Sequence, residues 1–190
     1  MELPARTRLV LVRHAESEGN VAKIMQGCGE YPLSALGRQQ AATVSPVLAA
    51  WPVTVVAASD LSRAQDTAIL ATGRLDVVDA RLRERGAGPW EGRTRAEIAA
   101  LYPGALEDDG LRPEGFEPSA EVGHRMRAAC ADLTGNDGLV VVFTHGAALR
   151  VLARELGTDG SRFAHLEGLF LGDDFSVLGR IRLLREGKGS

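Results

Sequence analysis

The sequence predicts an α/β fold: a three-layer sandwich with a mainly parallel sheet flanked by helices. Three observations carry that expectation. Continuous apolar runs at Leu9–Val12, Val53–Ala58 and Leu139–Phe143 have the pattern of strands buried on both faces. Segments with apolar or small residues at helical spacing stand between them. Strand and helix alternate along the chain, which is how a parallel sheet covered on both sides is built. The 190 residues, 45% of them hydrophobic, are enough for one domain spanning 1–190 with an elaborated loop.

Taken in order, Leu9–Val12 is the first strand, and the polar, Gly-containing stretch from His14 to Leu33 is a long loop. Ser34 is placed to cap the helix that follows, and Pro46 should break that helix near Ser45. Val53–Ala58 is the second strand, rich in β-branched residues. Ser59 and Asp60 suit the start of a helix over Leu61–Thr72, and Gly73 suits its stop. Leu75–Val78 reads as a short third strand. Thr94 and Glu97 have capping-box spacing for a helix reaching Tyr102. Residues 86–118 form a short lid or surface excursion, with Gly, Pro and acidic residues concentrated in Pro103–Pro118. Ser119 is expected to cap a helix running to about Leu133. Leu139–Phe143 is the fourth strand, followed by a helix that stops at Gly157. Leu169–Leu171 and Val177–Leu184 close the sheet, and Gly187–Ser190 is expected to be a loose tail.

Several chemically capable groups fall just beyond strands. Arg13 and His14 follow the first, Arg63 sits in the first turn after the second, and His145 follows the fourth. Glu84 lies in the loop after the third. Open α/β sheets bind ligands outside the carboxyl ends of their strands. A guanidinium offers a fork of donors to phosphate, and an imidazole can act as a nucleophile near neutral pH. On its own, the Arg13–His14 pair reads equally well as a solvated basic strand end.

A net charge of -3 argues against general nucleic-acid binding, which favours a basic balance. Cys28 and Cys130 are isolated, so neither a zinc site nor a disulfide is expected, and a reducing compartment fits. No apolar stretch approaches spanning length and no signal region opens the chain. The expectation is a cytoplasmic protein with no membrane partner; the sequence does not indicate an oligomeric state.

Five segments together resemble the histidine phosphatase superfamily, the phosphoglycerate mutase-like proteins, on its phosphatase branch. Leu11-Val12-Arg13-His14-Ala15-Glu16-Ser17-Glu18-Gly19-Asn20 resembles that family's LVRHGETxxN opening. Gln26-Gly27 and Pro32-Leu33-Ser34-Ala35-Leu36-Gly37-Arg38-Gln39-Gln40-Ala41 resemble its QG and PLTxxGxxQA segments. Ser59-Asp60-Leu61-Ser62-Arg63-Ala64-Gln65-Asp66-Thr67-Ala68 looks like the SxLxRAxxTA helix, Leu82-Arg83-Glu84 with Trp90-Glu91-Gly92 like the LxE and WEG loop, and Thr144-His145-Gly146 like SHG. The chain departs at Ala15 (for glycine), at Thr144 (for serine) and at Glu117-Pro118-Ser119 (for GES). The last departure bears on lid and substrate contacts.

The resemblance implies a phosphomonoesterase in which His14 is the nucleophile and forms a phosphohistidine. Its second ring nitrogen is expected to donate to a backbone carbonyl, fixing the tautomer. Arg13, Arg63 and His145 would surround the transferring phosphoryl group, where positioned charge supplies most of the catalysis. Asn20, Gln26, Gly27 and Gly146 would complete the phosphate-binding set. Glu84 is expected as general acid and then general base, with a carboxyl pKa raised by burial beside phosphate. No metal and no cofactor enters this scheme, and the partner is a small-molecule phosphate ester. His124 and His165 are assigned to surface or structural roles, and Trp51 and Trp90 to packing. Some of Arg83, Arg85, Arg93 and Arg95 could meet an anionic substrate tail.

Three functions share these residues. Metal-independent hydrolysis of small phosphorylated metabolites ranks first, with a phosphoprotein phosphatase as a variant of it. A cofactor-dependent phosphoglycerate mutase ranks lower. Mutases that resemble this family shield the phosphohistidine with a longer insertion, whereas Thr94–Ser119 is brief. A non-catalytic phosphate-binding module ranks lower too, because every expected catalytic residue type is in place.

Overall fold

The computed structural model describes residues 2–106 and 109–184. The expected tail, Gly187–Ser190, lies outside the described residues. Six strands form one sheet: β1 (Leu9–Arg13), β2 (Val53–Ala58), β3 (Val77–Val78), β4 (Leu139–Thr144), β5 (Glu167–Leu171) and β6 (Val177–Arg182). Their order is β3-β2-β4-β1-β5-β6. The β3-β2-β4-β1 part is parallel, and β5 and β6 add an antiparallel hairpin beside β1. β1 and β4 are therefore central and wholly buried, as their unbroken aliphatic runs require.

The alternation within β1 builds the two outer layers. Val10 and Val12 face one helical layer, and Leu9 and Leu11 face the other. The first layer holds α2 (Ala35–Thr43), α3 (Ser45–Ala49) and α4 (Ser62–Thr72). Its contact residues include Ala64, Ala68 and Ala71, whose small side chains let α4 lie close to the sheet. The second layer holds α6 (Ser119–Thr134) and α7 (Gly146–Glu155), packed through Met126, Cys130, Leu149 and Leu152. A third small cluster of Ala87, Trp90, Ile98 and Ala105 gives the lid its own core, which includes α5 (Arg95–Leu101).

Most expected boundaries hold. Ser34 Oγ accepts from Gly37 N at 2.9 Å, the helix breaks between Thr43 and Ser45 with Pro46 in the new first turn, and Thr94 and Glu97 form the capping box. Four expectations need correction. The third strand is only Val77–Val78, because Asp76 instead turns its carboxylate onto Val56 N at 2.8 Å. The loop from His14 to Leu33 contains a short helix, α1 (Glu18–Val21), closed by a Ser17–Asn20 capping box. Pro118, not Ser119, occupies the cap position of α6. Leu61 occupies that of α4, which frees Ser59 and Asp60 for other partners.

Candidate active site

Arg13 ends β1 and His14 follows it, its backbone N–H bonded to Thr144 O at 2.8 Å. The two central strands thus deliver His14 and His145 side by side, with ring centroids 5.1 Å apart. His14 is 2% exposed and His145 0%. His14 Nδ1 lies 2.6 Å from the Ala15 carbonyl. A carbonyl only accepts, so Nδ1 carries the proton and Nε2 keeps its lone pair, as expected. Burial, then Arg13 and Arg63, hold the His14 pKa well below the usual 6.5. The ring is therefore neutral at physiological pH, the state a nucleophile needs. Burial, then Arg63, His14 and Arg13, push His145 down in the same way.

His145 Nε2 lies 2.7 Å from Ser59 Oγ, and Ser59 Oγ also accepts from Leu61 N at 3.2 Å. The residue expected to cap α4 thus orients His145 instead. Its other ring nitrogen, Nδ1, is buried without a protein partner.

The arginines are fixed through backbone carbonyls. Arg13 Nη1 donates to Phe163 O at 2.8 Å. Arg63 donates to Gly29 O at 2.7 Å and Gly27 O at 2.9 Å. The Nε atoms of both remain buried without a protein partner. Burial lowers the Arg13 pKa to about 10, which still leaves it charged at neutral pH. Gly27 has φ +50, and a Cβ there would stand 2.0 Å from Glu91 Oε1. Only glycine turns that carbonyl toward Arg63 so cheaply.

Glu84 closes the opposite wall. Its Oε1 accepts from Arg85 N and Ala148 N, both at 2.9 Å, and its Oε2 from Ala147 N at 3.1 Å. The carboxylate sits on the first turn of α7, where the helix dipole and free N–H groups favour an anion. Of its two oxygens, Oε2 has the single acceptor contact and hence the room for a proton.

Arg13, His14, Arg63 and Glu84 border an open cleft of about 300 Å³, which Asn20, Gln26 and Gly27 also line; His145 is fully buried beside His14 and is not among the residues that line it. Asn20 Oδ1 is committed to the Ser17 backbone N–H at 3.1 Å, and Gln26 Oε1 accepts from Ser17 Oγ at 2.9 Å. Gly146 is placed differently from expectation. It does not line the cleft; a Cβ on it would stand 3.2 Å from Arg13 Nε, so its bareness makes room for that guanidinium. Arg85, Arg95, Arg112 and Arg150 line the outer cleft beside Arg13 and Arg63, against the single carboxylate Glu84. Among the described residues no group of three or more His, Cys, Asp or Glu could hold a metal ion. No helix among them is long and apolar enough to cross a membrane.

The arrangement sets the neutral imidazole of His14, with that of His145 beside it, among fixed donors to an anion, with a carboxylate in the same cleft. A family model, the histidine phosphatase superfamily (branch 1), matches residues 9–171. The chain belongs to the histidine phosphatase superfamily, branch 1. That places it among the histidine-type phosphatases, the phosphomonoester hydrolases of the family. The glucosyl-3-phosphoglycerate phosphatase of Mycobacterium tuberculosis is 37% identical over 78% of this chain and 74% of its own length. A probable phosphoglycerate mutase of Yersinia enterocolitica is 36% identical, covering 78% and 74%. The solved mycobacterial glucosyl-3-phosphoglycerate phosphatase in complex with VO3 superposes with a TM-score of 0.72 at 37% identity, covering 79% of this chain and 81% of that one. The mostly parallel sheet with flanking helices is thus shared with a solved phosphatase of the family, and a small phosphorylated metabolite is the kind of compound named for it.

Contacts of four residues around the site escape the sequence. Arg125, in α6, donates to the carbonyls of Arg81 and Arg83 at 2.8 Å and of Glu84 at 3.0 Å, and pairs with Glu117 at 2.7 Å. It clamps the loop that carries Glu84. Glu117 also accepts from Gly86 N at 2.8 Å, so the departure at Glu117-Pro118-Ser119 is a built contact with the loop that carries Glu84. Thr144 Oγ1 donates to Leu82 O at 2.7 Å and ties the same loop to β4. Nothing in local spacing announces contacts across such sequence separations. His165 was expected to be structural or surface, yet its ring lies 6.3 Å from that of His14. The Phe163 carbonyl that holds Arg13 draws its segment inward. His124 is exposed, as expected.

Proposed function

We propose that this chain hydrolyses small phosphorylated metabolites in two steps through a phosphohistidine at His14, without a metal ion. The observation that carries the reading is the neutral His14 in one cleft with the guanidiniums of Arg13 and Arg63 and the carboxylate of Glu84, its ring 5.1 Å from that of His145. A phosphoryl group supplies acceptor oxygens for such donors, and its charge is met by the two guanidiniums. His14 Nε2 attacks phosphorus while the bond to the leaving oxygen breaks. Glu84 Oε2 delivers a proton to that oxygen, then accepts one from the water that cleaves the phosphohistidine. Asn20, Gln26 and Gly27 line the approach to the phosphoryl site.

The class of substrate is a compact phosphomonoester with an anionic remainder, as in glucosyl-3-phosphoglycerate. The support is the excess of arginine in the outer cleft and the phosphatases named above. A phosphoglycerate mutase is the second reading, favoured by relatives of that name at similar identity. The test is phosphate release from p-nitrophenyl phosphate in excess chelator by wild type and His14→Ala. The wild type should turn over and the variant should not. Equal rates would remove His14 from the mechanism. Rapid conversion of 3-phosphoglycerate to 2-phosphoglycerate with a bisphosphate activator, and little free phosphate, would favour the mutase.

A further inference from the structure

A second cavity, of about 540 Å³, opens beside the reaction cleft and shares Asn20, Ile24, Met25 and Arg95 with it as a common wall. Its far side carries Lys23, Arg162 and His165. Building on the phosphatase reading, we propose that this cavity binds a carboxylate on the part of the substrate remote from the phosphoryl group.

The choice between two basic regions rests on what their arginines already do. On the lid side, Arg85 donates to Glu117 O at 2.7 Å and lies 4.6 Å from the Phe116 ring. Arg112 lies 4.8 Å from the Trp90 ring and 5.0 Å from that of Phe116. Those cations are spent in building the lid. On the shared wall and the far side, no carboxylate among the described residues lies within ion-pair distance of Arg95, Lys23 or Arg162. The one carboxylate in the cavity wall, Glu16, accepts from Ser34 Oγ at 2.7 Å.

His165 supplies the junction. Its ring stands 6.3 Å from that of His14, and its Nε2 is buried without a protein partner. Burial, then Arg13 and Arg162, hold its pKa near about 4, so it is a neutral hydrogen-bonding group at neutral pH. A substrate with its phosphoryl group at His14 and a short carbon chain would pass His165 and bring a carboxylate to Arg162. The exposed cations Lys23 and Arg162 and the half-buried neutral imidazole of His165 suit a singly charged, hydrogen-bonding terminus.

The test compares 3-phosphoglycerate with glycerol 3-phosphate, which carries a hydroxymethyl group in place of the carboxylate. The kcat and KM of each are measured for wild type, Arg162→Ala, Arg162→Glu and Lys23→Ala. The wild type should prefer phosphoglycerate. Arg162→Ala should cut that preference about tenfold, the scale of one charge-assisted contact, with the change in KM. Arg162→Glu should cut it further, and Lys23→Ala less. Arg127→Ala, an exposed charge on α6, should keep the wild-type ratio and so control for net charge. No preference in the wild type, or a ratio unmoved in both Arg162 variants, overturns the proposal while p-nitrophenyl phosphate hydrolysis still supports the phosphatase. Failure of the wild type on all three substrates removes the phosphatase reading and this inference with it.

Discussion

The floor of the cleft and its rim are built on different physics. The floor, made of Arg13, His14 and Arg63 and backed by the fully buried His145, is 8% exposed or less at every residue. Strand ends and backbone carbonyls hold it, and these cannot move without disturbing the central sheet. The rim, from Arg85 to Phe116, is held by arginines stacked on aromatic rings and by a small core around Trp90. On the proposed mechanism the floor sets the rate, and the rim and its neighbouring cavity set what is admitted. Variants of the floor should change kcat, and variants of the rim should change KM.

The largest effect should come from His14→Ala, with a loss of about 10⁴-fold or more in kcat, as for removal of a nucleophile. Arg63→Ala should lose roughly 10²–10³-fold, the scale of a preorganised charge in a transition state. A loss confined to KM would move Arg63 from floor to rim in function. Glu84→Gln should slow alkyl phosphates by about 10²–10⁴-fold, and aryl phosphates with good leaving groups much less. Equal losses on both would deny Glu84 its role as acid. On the rim, Trp90→Ala should raise KM severalfold with kcat nearly kept. Its cost to stability should be about 3–5 kcal/mol, the usual range for truncating a buried tryptophan, measured by urea unfolding. A kcat loss as large as that of Arg63→Ala would erase the distinction between the regions.

The smallest effect is in acid. His165 has a folded pKa of about 4 against about 6.5 when unfolded, so between those values the unfolded chain binds more protons. Stability should fall as pH drops from about 6.5 toward 4, and His14 and His145 add to the same trend. His165→Gln should flatten the slope. A steeper slope in that variant would contradict the assignment.

The floor was legible in the sequence because local rules place it. Strands of unbroken Val and Leu end at Arg13 and Thr144, and parallel neighbours must bring His14 and His145 together. Ser34, Pro46, Gly73 and Thr94 mark helix ends by backbone chemistry alone. The rim was less legible because long-range partners decide it. Arg125 reads as an ordinary helix residue until the chain folds and sets it against the Glu84 loop. His165 reads as a surface residue until the Phe163 carbonyl binds Arg13. Ser59 and Asp60 obeyed capping statistics in sequence, but His145 and Arg83 were the stronger partners.

The most direct measurement is to trap the phosphoenzyme. Wild-type protein is mixed with a phosphomonoester in chelator, quenched in alkali and digested, and the phosphopeptide is sequenced by mass spectrometry. Acid-labile phosphate should be found on the peptide containing His14, accumulate more in Glu84→Gln, and vanish in His14→Ala. Acid-stable phosphate, phosphate on another residue, or turnover that persists in His14→Ala would contradict the account.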